Sequence, residues 1–148
     1  MSHLDPVDVL LVEDNPRDAE LTIRTLEKNS LANHLFHVED GAQALDFVFC
    51  RGEYEQRDIV RPPKVILLDL KLPKLDGLEV LRAIKSDERT REIPVVMVTS
   101  SAEDPDVKAA YTLGANSYVV KPVGFEAFVE ALSHVGFYWL LVNRVISS

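Results

Sequence analysis

Val65-Ile66-Leu67-Leu68-Asp69 is four apolar residues running into one acid. A short unbroken apolar run of this kind reads as a strand buried on both faces, as in a parallel sheet. An acid directly after it emerges at the strand's carboxyl end. Open α/β sheets bind ligands and carry out chemistry at that edge.

Working upstream, Val7 to Val12 is mostly apolar and β-branched and stops at Glu13-Asp14, a second strand of the same type. Asn15-Pro16 signals a helix start, with Asn as cap and Pro at the first helical position. Ala19, Thr22, Ile23 and Leu26 follow at helical spacing. Leu35 to Val38 reads as a strand, Asp40-Gly41 as a turn, and Ala42, Leu45, Val48 and Phe49 as one face of a helix. Residues 50 to 63 have no clear period. They are expected to form a long surface loop, with an extra helical turn extending the preceding helix.

Downstream, Pro73 and Asp76-Gly77 carry turn chemistry, and Gly77 is expected to need a positive φ angle. Leu78, Val80, Leu81 and Ile84 predict a helix that frays between Ser86 and Glu92. Val95 to Val98 is a further buried strand closing on Thr99-Ser100-Ser101. Asp104-Pro105 is expected to cap a helix through Leu113, ended by Gly114. Ser117 to Val120 is the fifth strand, followed by Lys121-Pro122 and a last helix from about Gly124. Five β-α repeats imply a parallel sheet with right-handed crossovers and helices on both faces.

Composition narrows the function classes. The 148 residues point to one domain, and 47% hydrophobic with 27% charged residues is an ordinary globular balance. A net charge of −8 argues against a nucleic-acid binder. Cys50 is the only cysteine and cannot form an internal disulfide, so a free structural thiol is expected. His3, His34, His37 and His134 lack the spacing of a soft-metal site. No apolar run is long enough for a signal peptide or a membrane span, so a cytoplasmic protein without membrane contact is expected.

The polar residues at strand ends carry the functional reading. Each taken singly has a bland explanation. Glu13-Asp14 suits the start of the next helix through its dipole, Asp69 suits a turn, Thr99 suits a strand, and Lys121 suits a solvated strand end. Together they fall on one edge of one sheet. Crowded carboxylates repel unless a counter-charge joins them. Mg²⁺ resolves this, because it takes hard oxygen ligands and keeps several waters. Asp69 can then act as a carboxylate nucleophile forming an acyl phosphate. The Lys121 ammonium and the Thr99 hydroxyl stabilise charge on the equatorial oxygens.

Glu13-Asp14, Asp69, Asp76-Gly77, Thr99 and Lys121-Pro122, in that order on a five-fold β-α chain, resemble a response-regulator receiver domain. The likeness spans about residues 6–135, leaving a C-terminal helix extension over about 136–148 of a single domain, 1–148. It implies a flavodoxin-like fold with strand order 2-1-3-4-5. It also implies that Asp69 is the phosphoacceptor, that Asp14 binds Mg²⁺ directly and Glu13 mostly through water, and that the backbone carbonyl of Lys71 completes the protein ligands. By the same resemblance the bond before Pro122 is cis, Thr99 moves toward the phosphoryl group, and Tyr118 swings inward as a switch. Lys71, Ser100 and Ser101 are expected to tune dephosphorylation.

Arg51-Gly52-Glu53-Tyr54, Ile66 to Gly77, Lys85-Ser86-Asp87 and Phe137-Tyr138-Trp139-Leu140 resemble single-domain regulators that partner bacterial phytochromes and related sensor kinases. A sensor histidine kinase is therefore the expected partner. A DNA-binding output domain is not expected within these 148 residues. The tail from Gly136 to Ile146 is more apolar than an isolated amphipathic helix requires. It is expected to dock a second copy through Phe137, Trp139 and Leu140, together with the fourth helix and fifth strand. Two other classes compete. A Mg²⁺-dependent phosphohydrolase similar to the haloacid dehalogenase group wants a second acid two residues after the nucleophile, where this chain has Lys71. A receiver that only binds partners does not need the intact acid set.

Overall fold

Strand and helix alternate along the chain in the computed structural model, which describes residues 7–28, 34–122 and 124–134. The elements are β1 (Val9–Val12), α1 (Pro16–Lys28), β2 (Leu35–Val38), α2 (Gly41–Val48), β3 (Val65–Leu68), α3 (Gly77–Ser86), β4 (Val95–Thr99), α4 (Asp104–Thr112), β5 (Ser117–Val120) and α5 (Phe125–His134). All neighbouring strands pair in parallel, in the order β2-β1-β3-β4-β5. This is the expected flavodoxin-like order.

The apolar runs explain the layering. In β1, Leu10 and Val12 face the layer built by α2, α3 and α4, while Val9 and Leu11 face α1 and α5. β3 divides in the same way, Ile66 and Leu68 against Val65 and Leu67. β1, β3 and β4 are buried along their whole lengths, whereas the edge strands β2 and β5 each keep an exposed position. Each fully buried Val or Leu contributes about 2 kcal/mol, so a polar side chain inside β1 or β3 would cost heavily. The acids accordingly begin one residue past the strand ends.

Register then sets the site. Val12 pairs with Leu68, so Glu13 and Asp69 emerge side by side. Thr99 pairs with Val120, and Lys121 N–H donates to the Thr99 carbonyl at 2.9 Å. The Asp69 N–H donates to the Val12 carbonyl, extending the ladder by one rung at 3.1 Å.

Several local expectations change. Gly77 has no positive φ; among the described glycines only Gly52 and Gly114 do. Its requirement is space, because a Cβ there would lie 2.1 Å from the Asp69 carbonyl oxygen. α3 thus starts against the backbone of the acid it follows. The helix ends at Ser86, and a turn held by Asp87 and Thr90 replaces the expected fraying. Asp104 is the first residue of α4 and not its cap, which is Glu103.

Residues 50–63 are more ordered than a surface loop. Cys50 takes φ 54°, which breaks the helix, and a separate 3₁₀ turn forms at Gly52–Tyr54. Tyr54 is buried against Phe47, their ring centroids 5.1 Å apart. The Arg57 guanidinium lies 3.7 Å from the centre of the Phe47 ring and donates to the Phe47 carbonyl. Cys50 is a free thiol, as expected. The expected extension carrying Phe137, Trp139 and Leu140 lies outside the described residues. Among the described residues no helix is long and apolar enough to cross a membrane.

Candidate functional site

Four side chains converge where the strands end. Glu13, Asp14 and Asp69 each offer a carboxylate oxygen, and the three oxygens lie within 4.8 Å of one another. Glu13 and Asp69 are buried and Asp14 is exposed, so the group opens to solvent on one side. Lys121 enters from the end of β5. Its Nζ donates to Glu13 Oε1 at 2.5 Å, to Asp69 Oδ2 at 2.9 Å and to Asp18 Oδ2 at 3.0 Å. The other Asp69 oxygen, Oδ1, accepts from the Leu70 N–H at 2.7 Å. Both oxygens of this carboxylate are therefore held in place. The Lys121–Pro122 peptide bond is cis.

The surrounding backbone is fixed by its own contacts. Asn15 caps α1, its Oδ1 accepting from Arg17 N–H and Asp18 N–H at 2.9 and 3.0 Å. Asn15 N–H donates to Glu13 Oε2 at 3.1 Å. His37 Nε2–H on β2 donates to the Glu13 carbonyl at 2.8 Å. Glu13 is thus held at its carbonyl and at both side-chain oxygens.

Electrostatics follow from the crowding. Burial pushes the Glu13 carboxyl up to about 7; the hydrogen bond from Lys121 opposes this, and the Asp69 charge adds to it. Burial alone would lower Lys121. Its hydrogen bonds to Glu13, Asp69 and Asp18 outweigh that and hold its ammonium above the usual lysine range. Three carboxylates face one ammonium, and Asp14 adds a fourth acid.

The donor set fits a hard divalent cation. It consists of carboxylate oxygens with no thiol or imidazole among them, the ligand type that suits Mg²⁺ or Mn²⁺. Lys71 follows on the β3–α3 connection and lines an open cleft with Asp14, Leu70 and Asp76.

The remaining expected residues sit nearby in other roles. Thr99 ends β4, is buried, and its Oγ1 accepts from the Ser101 N–H at 3.5 Å. Tyr118 is half-buried, and its hydroxyl donates to the Ser101 carbonyl at 2.8 Å. Ser101 Oγ donates to Asp106 in the first turn of α4. Gly77 N–H donates to the Leu70 carbonyl at 2.6 Å, holding α3 against the loop after Asp69. Sequence reasoning missed Asp18. The available signal was its place one helical turn after Asp14, in the first turn of α1.

The family model described as response regulator receiver domain matches residues 9–133. This chain belongs to that family. The receiver chain is 42% identical over 140 residues to the probable methanogenesis regulatory protein FilR2 of Methanothrix harundinacea, covering 95% of this chain and 88% of FilR2. It is 37% identical over 135 residues to response regulator Rcp1 of Synechocystis, covering 91% and 90% of the two chains. A structure of the Mn²⁺-bound form of Rcp1 matches with a TM-score of 0.74, over 91% of this chain and 95% of that one. The bacteriophytochrome response regulator RtBRR matches with a TM-score of 0.81 at 52% identity, over 92% of this chain and 80% of that one. The chain is thus a response-regulator receiver related to phytochrome-associated response regulators.

Proposed function

We propose that this receiver is a phosphorylation switch in which Asp69 accepts a phosphoryl group from a sensor histidine kinase, of the phytochrome type. The observation that carries this is the buried Asp69 carboxylate, bonded to Lys121 and sharing its small space with Glu13 and Asp14. One Asp69 oxygen attacks phosphorus. The bond from phosphorus to the donor's imidazole nitrogen breaks, its electron pair stays on that nitrogen, and an acyl phosphate forms. Lys121 stabilises the phosphoryl oxygens through its ammonium, and the Thr99 hydroxyl donates to them.

Asp14 and Asp69, Glu13 through water, and the Lys71 carbonyl would hold Mg²⁺. When bound, that ion neutralises charge on the transferring group. Tyr118 would report the event by exchanging its bond to the Ser101 carbonyl for an inward position. The likeness to RtBRR and Rcp1 supports the choice of kinase. The apolar tail at Phe137, Trp139 and Leu140 supports a homodimer. So does exposed apolar surface on the α4–β5 face, where Tyr111 is 48% and Val120 41% exposed.

Incubation with acetyl phosphate and Mg²⁺ tests the reading. One phosphoryl group per chain by intact mass, absent in Asp69→Asn, is the expected result. Sustained release of phosphate over many turnovers would instead mark a hydrolase, and no label at all would mark a pure binding module. Sedimentation of the same samples reads the dimer, and a monomer in both states overturns that part.

A further inference from the structure

Two helix starts in this chain share one pattern, an Asx cap with an acid three residues later. In α3 the pattern closes on itself. The Asp76 side chain accepts from Glu79 N–H at 2.9 Å, and Asp76 N–H donates to the Glu79 side chain at 3.2 Å. In α1 the cap is Asn15 and the acid is Asp18, but the box stays open. The Asn15 N–H that Asp18 would take is taken by Glu13 Oε2. Asp18 is thereby released from capping, and its Oδ2 accepts from Lys121 at 3.0 Å.

An ammonium has three N–H donors. Lys121 spends one each on Glu13, Asp69 and Asp18. On phosphorylation Asp69 loses its charge and its bond to Lys121 weakens, so a phosphoryl oxygen takes that place. The ammonium must stay where it is while this exchange occurs. Glu13 holds it from the β1 side, and Asp18 holds it from α1.

We propose that Asp18 is a positioning residue for phosphoryl transfer: its carboxylate tethers Lys121 to the first turn of α1, so that the ammonium trades Asp69 for the phosphoryl group without swinging away. This rests on the proposed role of Asp69. The bond of Asp18 in this site is to Lys121, and its effect on the rate of transfer runs through that ammonium. Its side chain is 35% exposed and Lys121's is 10% exposed, so the tether lies at the rim and the ammonium lies within. The bond needs an acceptor oxygen at this reach and does not need a full charge.

The test measures the rate of phosphorylation by acetyl phosphate, with Mg²⁺, in full-length wild type, Asp18→Ala, Asp18→Ser and Asp18→Asn. Ala removes the tether, and Ser is too short to reach while remaining at ease in the first turn of a helix. Both should slow the reaction about tenfold. Asn removes the same charge but keeps an acceptor oxygen at the same reach, and it should restore most of the rate. Mg²⁺ affinity, titrated without donor, should shift equally in Ala and Asn, because the charge lost is the same. Equal slowing in Ala and Asn overturns the tether in favour of a plain charge effect. Wild-type rates in both overturn it outright. Wild type that takes no label, or Asp69→Asn that still does, overturns the underlying reading instead, and the Asp69→Asn control separates the two failures.

Discussion

Lys121 and Lys85 are the same residue put to opposite uses at opposite edges of one sheet. Lys121 follows β5 at the carboxyl edge and meets three carboxylates. Lys85 sits in the last turn of α3 at the amino edge and meets three neutral oxygens: the Arg91 and Ile93 carbonyls at 3.0 and 2.7 Å, and Asn116 Oδ1 at 3.1 Å. Asn116 Oδ1 also accepts from Val95 N–H, and Asn116 N–H donates to the Val95 carbonyl. Lys85 therefore ties α3 to the approaches of β4 and β5. Burial lowers its pKa, and Glu92 offsets that only in part, whereas the carboxylates around Lys121 raise that lysine. A cation among neutral acceptors satisfies the backbone and finishes there. A cation among excess acids leaves negative charge that a metal and a phosphoryl group can use.

The sharpest way to break this contrast is Lys121→Met. Phosphorylation by acetyl phosphate should fall about 100-fold, the typical cost of one lost charge-stabilising donor. A wild-type rate would remove the functional half of the comparison. Lys85→Met should do the reverse. It takes this donor from the Arg91 and Ile93 carbonyls, leaves Asn116 Oδ1 with its bond from Val95 N–H, and should cost about 2 kcal/mol in chemical denaturation, while the phosphorylation rate stays within about twofold of wild type. A stability change confined to Lys121, or a rate change at Lys85, would mean the two edges are not divided in this way.

The smallest effect concerns pH. Glu13, at about 7, carries a proton below that value, and the charge of a cation held through water beside it favours loss of that proton. Mg²⁺ affinity should be flat above about pH 7 and weaken toward about tenfold per unit below it. Calorimetric titration should show proton release on binding at acidic pH and little at alkaline pH. An affinity that does not change between about pH 6 and 8 would show that Glu13 is already ionised. Lys85→Met should leave this profile in place, since it lies at the other edge.

Most of the fold could be read from the sequence, because parallel strands buried on both faces are written as unbroken apolar runs. Val65 to Leu68 and Val95 to Val98 have no other comfortable reading once helices alternate with them. The same regularity exposes the acids, since a charge cannot sit inside such a run and appears at its end. What escaped was the role of residues whose partners are distant in sequence. Asp18 has no local mark beyond its place in the first turn of α1, and its partner lies 103 residues on. Gly77 looked like a turn glycine, and only the approach of the Asp69 backbone shows that it is there for space. Residues 50–63 looked featureless because their order comes from Phe47 and Tyr54 packing together with Arg57, not from any period.

By itself the sequence determined the alternation of elements, the burial of the central strands, and which side chains reach the carboxyl edge. Each of these follows from local polarity and spacing. Tertiary structure alone decided how the three donors of Lys121 are shared, that Glu13 takes over a helix-capping bond and frees Asp18, and that Lys85 is spent on neutral oxygens. Those outcomes depend on distances between strand ends, which are set by sheet register and chain crossings, and no local pattern encodes them.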